Sequence, residues 1–403
     1  MTLLLKLSVA SVVNIPLFSY LTESFLGGKD ANENITTAFG IILLLIYSYQ
    51  LSLIILFTWQ KVNIKQTYSL LFLILLLALI GILNSNSIIY AIISFLQYLS
   101  IILFSIWLAG EHVDKIKQLI IYSFYSCFLG FVLFSVLHFY LSNGDFLFTL
   151  AQIQLPAFFL LFLCAYNILS IDRKNKLLLY LTVLIYLLIL LLGALRATDL
   201  QQYRLQFLPV GLFLLIVILL LPKYFFIIFL GMLIFNVIYN NEDILEILLF
   251  RLGSFEERVS IFQVMANESF YFIVPQGLGS SNKLFDINSL TIHSESTRSL
   301  FPPHSGFAAM LYDASITFFI FVFIFYFNLF KKIKNQNLIV NKHDFFKISR
   351  IPFWWIIILT YLFENLFYLK FSITGATFSD DFLYVFILII FFEYKTSLPR
   401  IIK

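Results

Sequence analysis

Apolar runs of about 20 residues recur along nearly the whole 403-residue chain, and that is the length an α-helix needs to cross a hydrocarbon layer. A backbone placed there must satisfy its own N–H and C=O groups, which a helix does within one segment. The runs therefore predict an all-α, polytopic membrane bundle. Charge usage agrees, since only 12% of residues are charged against about 25% in a soluble domain. Cys127 and Cys164 both fall inside apolar runs and read as small core residues rather than as a disulfide or metal pair. The first apolar stretch has no small-residue cleavage site and is expected to stay as a span.

About twelve spans are expected, at 2–20, 38–58, 68–83, 88–109, 119–141, 151–170, 178–193, 207–221, 224–240, 305–330, 351–370 and 381–394, forming one domain over 1–403. Lysine and arginine set the orientation. With the N-terminus inside, 18 of the 26 basic residues fall on the inner side, Lys6, Lys395 and Lys403 among them. Both termini are then cytoplasmic. Trp59, Trp107, Trp354 and Trp355 sit at inner span ends, where an interfacial belt belongs. One outer loop is long, residues 241–304 between the ninth and tenth spans. Inside it, "SFEERVSIFQVMANESF" reads as an amphipathic helix. Ser254 and Glu257 form a capping box, and Val259, Phe262, Met265, Ala266 and Phe270 form the apolar stripe. "PQGLGSSNK" after it reads as a turn.

The outer basic residues differ in kind. Five of the eight arginines lie outside (Arg196, Arg204, Arg251, Arg258 and Arg298) but only three of the eighteen lysines. Orientation does not require arginine there, whereas its rigid fork of donors suits phosphate and carboxylate. One such arginine alone is more often a solvated loop residue in an ion pair. The set of five points to an anion site. The ionisable residues singled out within spans (Asp313, Glu364 and His138) also lie toward the outer face, with Lys6 the inner exception. A transporter instead needs polar or broken positions near the midplane. The pattern reads as a site open to one side.

"PPHSGFAAMLYDASI" resembles the His-Asn…acidic-x-Gly-Ile segment of the O-antigen polymerase (Wzy) and O-antigen ligase (WaaL) superfamily, which opens the span after the large periplasmic loop. His304, Asp313 and Ile316 match that segment, while Ser305 stands for the usual Asn and Ser315 for the usual Gly. "ERVSIFQVM…VPQGLGSS" resembles the family's Arg-x-x-x-aromatic helix followed by Pro-x-x-Gly-x-Gly, through Arg258, Phe262, Pro275, Gly277 and Gly279. "GALRATDLQQYRLQFLPVG" resembles the family's earlier periplasmic loop, with Arg196 or Arg204 as the matching arginine. The motifs cover roughly residues 190–320; the first half matches only in being hydrophobic.

The resemblance implies a metal-independent glycosyltransferase of the bacterial inner membrane. It would act at the periplasmic face on undecaprenyl-diphosphate-linked glycans as donor and acceptor, with membrane lipid around it and a chain-length-regulating co-polymerase as a further partner. Nucleic acid has no place in it. Arg258 and one of Arg196 and Arg204 would neutralise charge on the leaving diphosphate, and His304 would take the acceptor proton. Arg251, Arg298 and Asp313 are further substrate-side candidates. Nine residues separate His304 from Asp313, which on a helix places them on opposite sides, so Asp313 is expected to support the site through a neighbouring span or an outer arginine. Without the resemblance, His304 would read as a helix-end cap. No metal cluster is expected, the acids of "KDANEN" (Asp30, Glu33) and "SDD" (Asp380, Asp381) being ordinary loop acids. The polymerase is the preferred reading. The ligase differs in acceptor, a flippase or transporter of the same lipid-linked sugar is the rival from another class, and an envelope scaffold is a third.

Overall fold

The computed structural model describes residues 13–14, 45, 48, 68–84, 88–141, 157–158, 160–166, 168–169, 173–196, 273–280, 306–335 and 380–397. All regular structure in them is α-helix. Six helices are delimited: α1 Tyr68–Asn84, α2 Ile88–Gly110, α3 Val113–Leu141, α4 Arg173–Arg196, α5 Gly306–Asn335 and α6 Asp380–Ser397. The described residues between 157 and 169 are helical too. These correspond to the spans expected at 68–83, 88–109, 119–141, 151–170, 178–193, 305–330 and 381–394. The spans expected at 2–20, 38–58, 207–221, 224–240 and 351–370 fall largely or wholly outside the described residues, as does the loop 241–304 apart from 273–280.

Among the described residues, three stretches are long and apolar enough to cross a membrane: Ala91–Gly110, Val113–Val136 and Met310–Ile333. Their outward faces fit that reading. On α5, Ile320, Phe323, Ile324 and Phe327 form an exposed, wholly apolar stripe. Such a stripe favours association in water and costs nothing in hydrocarbon.

Two helices start earlier than hydropathy suggests. Helix α3 begins at Val113 rather than near 119. Its first turn is polar, and polarity does not oppose a helix. His112 caps it, with its carbonyl accepting from Lys115 and Ile116 N–H and its Nδ1 accepting from Asp114 N–H. Asp114 also places negative charge where the helix dipole is positive. Helix α4 likewise takes in Arg173–Lys176 and ends on Arg196.

Helices α1 and α2 follow closely on one another in the chain and pack together. Helix α6 packs on α2 and α3, α5 packs on α1 and α2, and α3 packs on α4. The late ends of α2, α5 and α6 lie together. The Tyr394 hydroxyl donates to Phe330 O at 3.1 Å. The Lys395 ammonium donates to Leu108 O at 2.8 Å, to Ala109 O at 2.9 Å and to Glu111 O. Lys395 is therefore no loop cation, as the charge count had it. It is fully buried and donates to carbonyls at the end of α2, of which Leu108 O also accepts from Glu111 N–H. Trp107, at the same end, is buried with the Lys115 ammonium 5.7 Å from its ring, so it serves the bundle interior rather than a lipid-facing belt.

Aromatic packing fills the middle. Phe158 stacks on Tyr186 with centroids 4.0 Å apart, and Phe131 meets the same ring at 4.3 Å. Lipid tails are as apolar as these rings, so close contact rather than escape from water holds such helices together. Polar pairs add direction. The Ser105 and Tyr326 hydroxyls bond at 2.9 Å, Ser100 bonds to Tyr384, and Asn14 donates to Ser126 O at 3.3 Å and Ser126 Oγ at 3.1 Å. Cys127 and Cys164 are buried, as small core residues should be.

Candidate functional site

Helix α5 is broken. Ser315 has φ 60 and ψ 170, a conformation outside the helix and in the region that favours glycine. An unbroken helix would send the carbonyls of Tyr312 and Asp313 to the N–H groups of residues 316 and 317. Here another segment takes them. Gln276 N–H donates to Tyr312 O at 3.1 Å, and Gly277 N–H donates to Asp313 O at 2.9 Å. The "PQGLGS" stretch thus supplies the donors at the break.

That stretch is inserted, not draped over a surface. Leu278 N–H donates to Leu77 O on α1 at 3.0 Å, and Gly279 N–H donates to Asp313 Oδ2 at 3.0 Å. At its outer edge Asn84 Nδ2 donates to Gln276 O at 3.0 Å. Ser280 Oγ closes the turn on the carbonyls of Gln276 and Gly277, each at 2.8 Å. Gly277 through Ser280 are buried. Leu77 lies about 10 Å along α1 from Asn84, so irregular backbone reaches well inside the helical layer. Backbone at such depth persists only where protein satisfies it.

Glycine makes the insertion possible. A Cβ on Gly81 would overlap the carbonyl oxygen of Leu278, and a Cβ on Gly277 would overlap the backbone of Gly81. The two backbones therefore touch directly. Gly277 and Gly279 also hold φ of 96 and 77. Both glycines of the Pro275–Gly279 stretch, which here reads Pro-x-Gly-x-Gly with one residue fewer after the proline than the family pattern, are thus required by the turn, and Gly277 is required by close approach as well.

Of the residues singled out in the sequence, Asp313 is the one whose surroundings are described: fully buried, on α5, against the glycine turn. One donor to its carboxylate is the backbone amide of Gly279, in the glycine turn. Arg196 is the last residue of α4. His304, Arg204, Arg251, Arg258 and Arg298 lie outside the described residues, as do Glu364, His293, Asp30, Glu33 and the amphipathic stretch 254–270. The described part of α5 begins at Gly306, so the expected angle between His304 and Asp313 falls outside the described residues. Asp380 and Asp381 open α6. Among the described residues no group of three or more His, Cys, Asp or Glu is placed to hold a metal ion.

Two participants escaped the sequence reading. Gly81 and Asn84 lie in the half of the chain that carried no motif, and the signal for Gly81 was a lone glycine in a Leu/Ile helix. Glu393 is buried on α6 toward the end where Lys395 caps α2, so the buried acids do not all gather at one face.

The chain matches no family model, no curated protein and no solved structure.

The junction can hold two distant parts of the chain in one register. Four consecutive amides, Gln276 to Gly279, bond across to α1 or α5. The 273–280 segment is therefore held at a fixed point of the bundle.

Proposed function

We propose that this chain is a membrane-bound glycosyltransferase of the O-antigen polymerase type. It moves a growing glycan from undecaprenyl diphosphate to the terminal sugar of a lipid-linked repeat unit. One observation supports this reading above the others. The Pro275–Gly279 segment and the Asp313–Ile316 segment, which resemble separate pieces of one family signature, meet in space through Gly277, Gly279 and Asp313. The position where the family usually has glycine is also Ser315, the one non-glycine residue with positive φ among the described residues.

In this reading the reaction needs little bond chemistry from the protein, since the sugar already sits on a good leaving group. Arg258, with Arg196 or Arg204, holds the diphosphate and meets the charge that grows on it as the glycosidic bond breaks. His304 takes the proton from the attacking hydroxyl, a task suited to an imidazole that titrates near neutrality. Arg251 and Arg298 extend the anion-binding rim. No metal is required, because the arginines carry the compensating charge. The reaction would take place at the periplasmic face of the inner membrane.

A broken helix also occurs where transporters bind cargo near the membrane midplane. The outer clustering of arginines along the sequence favours a one-sided enzyme over a flippase.

The test is deletion in the native host, followed by gel profiling of surface polysaccharide. Single repeat units on an intact core identify a polymerase. Loss of attached glycan with accumulation of lipid-linked polymer identifies a ligase. Full-length attached glycan in the deletion strain excludes both.

A further inference from the structure

We propose that Gly81 and Asn84, at the end of α1, are positioning residues of the catalytic site, acting through the glycine turn they seat. This rests on the glycosyltransferase reading given above. It adds a participant from the half of the chain in which no motif was found.

The physical argument is one of contact. Leu278 lies over Gly81 so closely that a single methyl group would collide with its carbonyl, a backbone atom that cannot rotate away. Asn84 holds Gln276 O from the other side, at 3.0 Å. Between them, Leu278 N–H reaches Leu77 O. Helix α1 therefore provides a complementary bed for the turn: a missing side chain, an acceptor and a donor within two helical turns. Helix α5 provides the opposite wall through Tyr312 and Asp313. The turn holds Asp313, a substrate-side candidate, through Gly277 N–H on its carbonyl and Gly279 N–H on its carboxylate. Displacing the turn displaces that carboxylate. Displacement by about 1 Å from a remote change is enough to cost a factor near 10² in rate.

The experiment uses the full chain in lipid nanodiscs. Hydrogen exchange is followed by mass spectrometry on the peptide spanning 273–280. Turnover is followed with single repeat units extracted from a host lacking the chain. In the parent, the amides of Gln276 to Gly279 should exchange slowly. In Gly81→Ala they should exchange at least ten-fold faster, while peptides of α3 exchange as in the parent. The kcat should fall ten-fold or more with KM within two-fold. Leu83→Ala, on the exposed face of α1, should match the parent in both readouts. Asn84→Ala should shift both in the same direction by less, and it carries the test if Gly81→Ala does not fold. Fast exchange in the parent overturns the seating. Faster exchange with unchanged kcat overturns the positioning role. A parent that shows the expected exchange but never elongates the repeat unit removes the enzymatic reading and the positioning role with it, and leaves the seating intact.

Discussion

Gly279 N–H donates to Asp313 Oδ2 at 3.0 Å, a bond that ties the large loop to the helix after it across 34 residues of chain. Both groups are buried. Removing the acceptor leaves an amide with neither water nor partner, at about 1–3 kcal/mol. Asp313→Ala should lower stability by that amount, read as thermal or denaturant unfolding of the purified protein in detergent. Asp313→Asn keeps a carbonyl oxygen at the same place and should lose less than half as much. Equal losses in the two variants would show that charge, rather than the accepting oxygen, holds the loop.

Ser315 gives a test of the opposite sign. An L-residue with positive φ carries strain of about 1–2 kcal/mol, which glycine does not. Ser315→Gly should therefore unfold at or above the parent temperature, although glycine ordinarily weakens a helix. Ser315→Val adds a β-branched side chain at the same φ and should unfold well below the parent. If Ser315→Gly behaves like a mid-helix glycine, the helix is continuous and the break is wrong.

The two candidates for chemistry separate by role. His304→Ala should reduce turnover by a factor of about 10²–10⁴, the range for loss of a general base. Arg258→Ala should cost about 10²–10³, as for loss of a donor to developing charge. Arg258→Lys retains the charge and loses the fork of donors, so it should fall between parent and Arg258→Ala. Turnover of extracted repeat units measures all three. Parent-like activity in His304→Ala would remove it as the base.

Much of the bundle was legible because length and apolarity alone fix a spanning helix, and α1, α2, α5 and α6 begin and end within a few residues of the expected bounds. The starts of α3 and α4 were not, because a capped polar turn such as His112–Lys117 is helical without being apolar. The glycine turn was recognisable as a turn but not as an insertion. Its depth depends on Gly81, a residue distant in sequence whose only signal is a missing side chain. The break at Ser315 was hidden for a related reason. Nothing in "LYDASIT" stops a helix locally, and the donors that replace the helical bonds come from Gln276 and Gly277.

Lys395 offers a stability test away from the site. Its ammonium serves three carbonyls at the end of α2. Lys395→Met keeps the aliphatic bulk and abandons those carbonyls, at about 2–4 kcal/mol given about 1.5–3 for one hydrogen bond to a charged group. Detergent unfolding should show it, with surface glycan length unchanged at permissive temperature.

That same lysine also imposes an order on biogenesis. It arrives 287 residues after Leu108. Until α6 has been made and docked, the carbonyls of Ala109 and Glu111 lack this donor. A premature stop anywhere before Lys395 would therefore remove more than α6, because it would leave the end of an early helix unfinished.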